Sequence, residues 1–551
     1  VFIPGITTPG SVSLPIIPSI ALGFLAILLA GGAVGAATKG PEFLGHPKGL
    51  YVLFFAEMWE RFSYYGMRAL LIFYLTKHWL FDDGKSNLIY GAYTSLVFVT
   101  PVLGGYLADR YLGQRKAVVF GAVLLTLGHL LMAVEGDGGQ ASAAINVFWL
   151  ALATIIVGSG FLKANISVIV GQLYPLTDIR RDGAYTIFYI GINTGAAIGT
   201  IMAGWLGETY GWAYGFGAAG VGMLLGLVVF VLGKPLLLGK GEAPHPLTKR
   251  TEWSIYAIGL AAVAVIWALV QYQSVIQTLL IISGICLLGY VLFESFKLEP
   301  HARDRMFTVL FLIALNPVFW GLFEQAGGSL NLYTDRFVDR QGVEASLFQS
   351  INPIYIVLLG PIFAALWVFL GKRGLEPSAP AKFGLALAQV GLSFLVFVWG
   401  AHTVGLEAAT PVFFVFAIYF LQTTGELCLS PVGLSAMNRL APKHLASLIM
   451  GAWFYMTAVG NFVAGKIGEA TGGESGEMTK EGTLAIYSTI GWWTIGIAAI
   501  VLALSPFIRK LMHLDTLRDE GGHGADHAMA GEAELAEPQA AGFRIAGETR
   551  P

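Results

Sequence analysis

Apolar residues fall along this chain in long continuous runs, separated by short polar loops. After residue 45, runs near 50–76, 86–110, 116–134, 146–172, 184–207, 212–233, 253–271, 275–296, 308–333, 347–370, 383–401, 410–438, 446–468 and 484–512 are each long enough to cross a bilayer as a helix. A helical span needs roughly 20 apolar residues. The alternating segments of about ten residues that a membrane barrel requires are not seen. The pattern predicts an all-α integral membrane protein with fourteen spans. A further run, Leu14 to Ala37, is long enough for one extra N-terminal span and equally suits an interfacial segment. It lacks the basic stretch that opens a secretory signal.

The spacing of the runs divides the chain. An N-terminal extension (1–45) precedes six spans (46–233), then a linker with two further spans (234–304), six more spans (305–513) and a tail (514–551). The longest internal linker, KPLLLGKGEAPHPLTKR, follows the sixth span. The inserted pair carries few polar residues, Gln271, Gln273 and Glu294 among them, and is expected at the periphery. The Gly-, Ala- and Glu-rich tail is expected to be disordered. Lys and Arg concentrate in alternate loops, from Arg110, Arg115 and Lys116 through Lys372 and Arg373 to Arg509 and Lys510. By the positive-inside bias this places both ends of the fourteen-span core in the cytoplasm.

Composition agrees with the pattern. The 551 residues are 55% hydrophobic and 12% charged, about half the charged share of soluble domains. The 70 glycines suit closely packed membrane helices. A net charge of −2 points to no particular partner, and no nucleic acid is expected. Cys286 and Cys428 lie in different apolar runs, so free thiols rather than a disulfide are expected.

One apolar run breaks the pattern. EMWERFSYYGMR (57–68) holds four charges within about three turns. At about 100° per residue, Glu57, Glu60, Arg61, Tyr64, Tyr65 and Arg68 share an arc of roughly 140°. The opposite arc holds Met58, Trp59, Phe62, Gly66 and Met67. A polar stripe in a membrane helix must face a water-filled cavity or paired groups inside a bundle. Ion pairing such as Glu57 with Arg61 would satisfy part of it; the whole stripe points to a solute or proton pathway.

EMWERFSYYGMR resembles the ExxERFxYYG signature of the proton-dependent oligopeptide transporter family, within the major facilitator superfamily. Further motifs follow in that family's order. GGYLADRYLGQRK resembles the superfamily loop motif, with Asp109 and Arg110 expected to gate the inner end. GSGFLKANIS places Lys163 mid-span. FYIGINTGAAIG carries Asn193, and NPVFWGLFEQAGGSLNLY carries Glu324. Asn352 precedes Pro353, where a flexible point is expected because proline interrupts a helix. GELCLSPVGLS carries Glu426 and Ser430, and GAWFYMTAVGN carries Trp453. The inserted pair matches the two extra helices of bacterial members. No histidine lies within the second core span, so a histidine relay there is unavailable, and Phe98 stands where some relatives have a pocket tyrosine.

The resemblance implies two six-helix bundles and no enzymatic activity, metal or cofactor. It implies inward symport of di- and tripeptides with protons across the cell (inner) membrane by alternating access, driven by the proton gradient, with a monomer sufficient. Glu57, Glu60, Arg61, Lys163 and Glu324 would couple protons, with Arg68 and Glu324 paired across the halves as a gate. Arg61, Tyr64, Tyr65, Arg68, Lys163, Asn193, Asn352, Glu426, Ser430 and Trp453 would hold the peptide, the cations taking its carboxylate and Glu426 its ammonium. Alternatives are another small solute on the same scaffold (nitrate, an amino acid or a drug-like amphiphile) and, remotely, an intramembrane hydrolase. No HExxH or GxSxG occurs near an intramembrane acid to favour the latter.

Overall fold

The structure is a computed structural model that describes residues 16–175, 178 and 180–514. The tail expected to be disordered, from Asp515, and the first fifteen residues lie outside the described residues. The run at the N-terminus forms helix α1 (Ile16–Ala37). The first bundle comprises α2 (Lys48–Phe73), α3 (Asp83–Leu107), α4 (Gln114–Met132), α5 (Ile145–Gln172), α6 (Arg181–Tyr210) and α7 (Trp212–Leu232). The inserted pair is α8 (Lys249–Val270) and α9 (Gln273–Ser295). The second bundle holds α10 (Pro300–Phe323), α11 (Ser329–Phe337), α12 (Ile351–Lys372), α13 (Ala379–Thr403), α14 (Phe413–Leu440), α15 (Ala446–Thr471) and α16 (Lys480–Leu511). Side-chain oxygens of Asp82, Thr248, Ser378 and Thr479 accept from the first-turn amides of α3, α8, α13 and α16, which satisfies donors that a helix leaves open.

Among the described residues, fourteen helical stretches are long and apolar enough to cross a membrane. Their number includes α1 and excludes α2, whose four charges lower its hydropathy. Yet α2 is the most enclosed helix of the first bundle, whereas α1 buries only Pro18, Ala21 and Gly35. The chain is a multi-pass helical membrane protein. The helix that fails the hydropathy criterion is shielded from lipid by its neighbours, and α1 lies outside them.

Glycines make that enclosure close. Gly195 and Gly199 of α6 sit so near α2 that a Cβ would lie 2.1 Å from the carbonyl oxygen of Met58 and 2.2 Å from that of Phe62. The apolar arc of α2 presses into this seam, as small residues permit in membranes, and its charged arc turns to the interior. FYIGINTGAAIG therefore supplies a packing surface as well as Asn193.

Three expectations change. The ninth core span is broken: α10 ends in a 3₁₀ turn, Glu324–Gly327, before α11 begins. Pro353 lies in the first turn of α12, where a missing N–H costs no internal hydrogen bond, so it interrupts nothing. The α8–α9 pair is peripheral but touches both bundles. On the first, Glu252 pairs with Lys116 at 2.7 Å and Gln273 accepts from Lys85 at 2.5 Å. On the second, Ser283 and the carbonyl of Leu280 meet the Tyr455 hydroxyl.

Candidate functional site

The bundles are joined at the end that carries the α2–α3 connection. Arg336 of α11 grips Asp83 of α3 through both carboxylate oxygens, at 2.6 and 2.7 Å. Lys77 pairs with Asp335 at 2.7 Å. The backbones of α3 and α15 touch where Gly91 meets Gly465: a Cβ on Gly91 would lie 2.6 Å from the Cα of Gly465.

Below this seal lies the stripe of α2. The Arg61 Nε donates to Glu57 Oε1 at 2.5 Å. The same nitrogen is 3.3 Å from Glu60 Oε2, close enough for an ion pair but without hydrogen-bond alignment. Both oxygens of Glu60 and Oε2 of Glu57 are buried with no hydrogen-bond partner among the described residues. Two carboxylates thus share one guanidinium in a site with almost no solvent contact, so protonating either one resets the charge balance of the whole stripe.

Lys163 of α5 enters this region from the side. It is 4% exposed, too deep to snorkel. Its ammonium lies 4.4 Å from the Tyr64 ring centroid and 4.6 Å from that of Phe98, a cation held between two aromatic faces.

One and two turns beyond, Arg68 divides its guanidinium. Nε donates to the Tyr90 hydroxyl of α3 and Nη2 pairs with Glu324. Glu324 opens the 3₁₀ turn between α10 and α11, so the pair links the first bundle to the break in the second. Tyr90 also needs the glycine of that turn: a Cβ on Gly327 would fall 1.7 Å from its hydroxyl oxygen. The family resemblance singled out Arg68 and Glu324 but not Tyr90. Nothing local in the sequence separates it from Tyr93, three residues on.

The second bundle holds a sparser group. Asn352 of α12 donates its amide to Thr423 Oγ1 and to Glu426 Oε2 of α14, each at 3.0 Å. Ser430 lies one turn past Glu426, its hydroxyl buried with no hydrogen-bond partner among the described residues. Asn193 donates to the Tyr189 carbonyl of its own helix at 3.1 Å. Tyr65 borders Tyr64 edge to face, 5.1 Å between centroids, and lies against Arg68. Trp453 is 1% exposed and its indole occupies the space that a Cβ of Gly433 would need. That is core packing, not an open wall of a cavity.

The residues of the loop motif lie at the opposite end. Asp109 Oδ1 accepts from Gln114 at 2.7 Å, and exposed Arg110 lies over the rings of Tyr106 and Tyr111. Arg115 instead chelates Glu242 at 2.6 and 3.1 Å, and Lys116 takes Glu252. Both acids come from the linker side of α8. That contact joins segments 127 and 136 residues apart, which spacing within the motif cannot show. The guanidinium holds the Glu242 carboxyl below the usual carboxylate range.

The chain is similar along most of its length to known proteins. The family model described as the POT family matches residues 115–480. The peptide transporter YePEPT of Yersinia enterocolitica (subsp. palearctica serotype O:3, strain YE-P4) is 34% identical over 86% of this chain and 97% of its own length. Dipeptide and tripeptide permease A of Serratia proteamaculans (strain 568) is 32% identical over 86% and 94%. A transporter of Bacillus subtilis (strain 168), YclF, is 37% identical over 85% and 96%. Among solved structures, a peptide transporter POT in complex with sulfate aligns with a TM-score of 0.74 at 35% identity, covering 87% of this chain and 99% of that one. A POT family transporter in complex with a thioalcohol-conjugated peptide aligns at 0.74 and 33% identity, covering 85% and 98%.

Proposed function

This chain belongs to the POT family, and from that premise we propose that it is a symporter importing di- and tripeptides with protons by alternating access. The observation that carries the reading is the division of charge between the bundles. Arg61 and Lys163 stand in the first. Glu426, held by the neutral donor Asn352, stands in the second. A zwitterionic peptide spans such a pair with its carboxylate toward the cations and its ammonium toward Glu426. One ligand then draws the two bundles together, as a carrier with a site near the bilayer midplane requires. Tyr64, Tyr65, Asn193, Asn352 and Ser430 complete the polar surround, and Trp453 supports it from behind.

Protons enter through Glu57, Glu60 and Glu324. Protonating Glu324 dissolves its pair with Arg68, and with it the central link between the bundles, so that the seal at Asp83 and Arg336 can part. Loading Glu57 or Glu60 frees Arg61 for the peptide carboxylate. By the Lys and Arg distribution the Asp83 end faces outward and the Arg115 end, with Asp109 and Arg110, faces the cytoplasm. The host bilayer is the cell membrane, and both ends of the fourteen-span core are cytoplasmic. One chain contains both sides of the site, so a monomer suffices. The relatives are transporters, and this cycle breaks no covalent bond; the proton gradient supplies its energy and no cofactor takes part.

Uptake of a labelled dipeptide into proteoliposomes tests this. An acidic exterior and an inside-negative potential should accelerate accumulation. Glu60→Gln should remove that acceleration and retain counterflow of peptide against peptide. A Glu60→Gln protein that still concentrates peptide as the wild type does would overturn the coupling assignment.

A further inference from the structure

Between α1 and the first bundle runs a groove of about 600 Å³, within the usual range for a small-ligand site. Its walls are apolar: Leu28 of α1, Phe43 of the short hairpin between α1 and α2 (Glu42–Phe43 paired with His46–Pro47), Phe54, Phe55 and Trp59 of α2 and Ile187 of α6. At one end it meets Lys48 and Leu236. Lys48 lines that end, and two further lysines lie close to its neighbours along the chain. Lys48 donates to the carbonyls of Thr38 and Ala36 at the end of α1. Lys39 and Lys234 are exposed, the first beside the end of α1 and the second two residues from Leu236. A nearby acid, Glu42, is paired with Arg180 at 3.0 Å. Side chains do not fill the groove: Gly31 lines it, and a Cβ there would meet nothing within 4 Å.

We propose that this groove binds one anionic phospholipid, its acyl chain along α1 and its phosphate at the Lys39–Lys48–Lys234 rim. Two independent features select that occupant. The groove lies between a largely exposed apolar helix and the bundle. Its charged end is basic, and the nearby acids are already paired, Glu42 and Asp178 with Arg180 and Glu242 with Arg115, which suits an anionic headgroup at the membrane surface. A zwitterionic lipid fills the apolar part equally well but gains nothing from the rim. The bound chain would fasten α1 to α2 and α6, which otherwise meet α1 through a few side chains such as Ala21, Leu25 and Leu28.

The test uses the full chain in detergent, stripped of loosely held lipid and offered equal phosphatidylglycerol and phosphatidylcholine with identical acyl chains, read by native mass spectrometry. One lipid per protein should be retained, with phosphatidylglycerol preferred about fivefold or more. Gly31→Trp should fill the groove and abolish the adduct while peptide uptake persists. Lys39→Gln with Lys234→Gln should keep an adduct and bring the preference toward unity. Equal retention of the two lipids by the wild type would overturn the proposal. So would undiminished phosphatidylglycerol binding in Gly31→Trp, or an unchanged preference in the double lysine variant; an adduct of detergent alone counts against it equally.

Discussion

Helices α2 and α14 both carry acid into the membrane, and they hold it in opposite ways. On α2, Glu57 and Glu60 share Arg61 one turn or less away, so the helix carries much of its own countercharge. On α14, Glu426 accepts from the amide of Asn352 on another helix. Neutral donors stabilise a carboxylate without cancelling its charge. The first arrangement can exchange a proton or an anion and stay near neutrality. The second is steadied by a neutral amide from a neighbouring helix. The difference teaches that charge density along a membrane helix says less about ligand sign than the identity of each charge's partner.

The largest break in this comparison is Glu426→Gln. It keeps the shape of the Asn352 contact but removes the charge that an ammonium would meet. Losing one partner of a desolvated charge pair costs about 2–5 kcal/mol, so dipeptide binding should weaken roughly thirtyfold or more in a competition assay. An N-acetylated dipeptide, which has no ammonium, should bind both proteins equally weakly. A carrier of anions such as nitrate would be indifferent to the substitution, so unchanged dipeptide affinity would remove Glu426 from the site.

Gly91→Val addresses the seal rather than the charges. A Cβ there meets the Gly465 backbone at 2.6 Å, and overpacking of this kind costs about 1–3 kcal/mol. The Asp83 end should open more of the time. Spin labels on the loops near 80 and 340 should report longer distances, and uptake should fall while peptide binding persists.

Thr423→Val sharpens the contrast at lower amplitude. It deletes one of the two acceptors of the Asn352 amide. A neutral hydrogen bond contributes about 0.5–1.5 kcal/mol, so affinity should change by no more than about tenfold, and less than with Glu426→Gln.

The smallest effect is expected outside the membrane, at His46 in the hairpin before α2. Burial, and then the Arg180 guanidinium, holds its pKa below the usual 6.5, and Nδ1 faces the Tyr174 hydroxyl at 2.8 Å. The folded state therefore binds fewer protons than the unfolded one just below pH 6.5, and the contact weakens as the pH falls through that range. Hydrogen-exchange protection factors of residues 42–47, corrected for the intrinsic pH dependence of exchange, should fall modestly from about pH 7.5 to 5.5, and His46→Gln should flatten that response.

Several features are legible in the sequence because they depend on local composition. Lipid selects long apolar runs, so the spans and the six-two-six spacing can be read directly. The stripe of α2 is legible because its six residues repeat at helical spacing. Glu324 and Glu426 stand out because an acid within an apolar run is costly. Tyr90 does not, since its position depends on how α3 approaches the broken turn after α10. Glu242 and Glu252 are likewise hidden, because their partners lie across the fold. Trp453 reads as a binding aromatic along the chain, and the glycine opposite it makes it core.

The sequence by itself determined that this chain lives in a bilayer and which of its helices carries the charge, because hydration penalties act residue by residue. Only the tertiary structure decided which charges meet. Arg68 with Glu324, 256 residues apart, and Asn352 with Glu426, 74 apart, are joined by helix packing. So is the shelter of α2, which depends on the glycine seam of α6 bringing two backbones into contact. The strength of a charge pair depends on separation and surrounding dielectric, and both are properties of the assembled bundle rather than of neighbours along the chain.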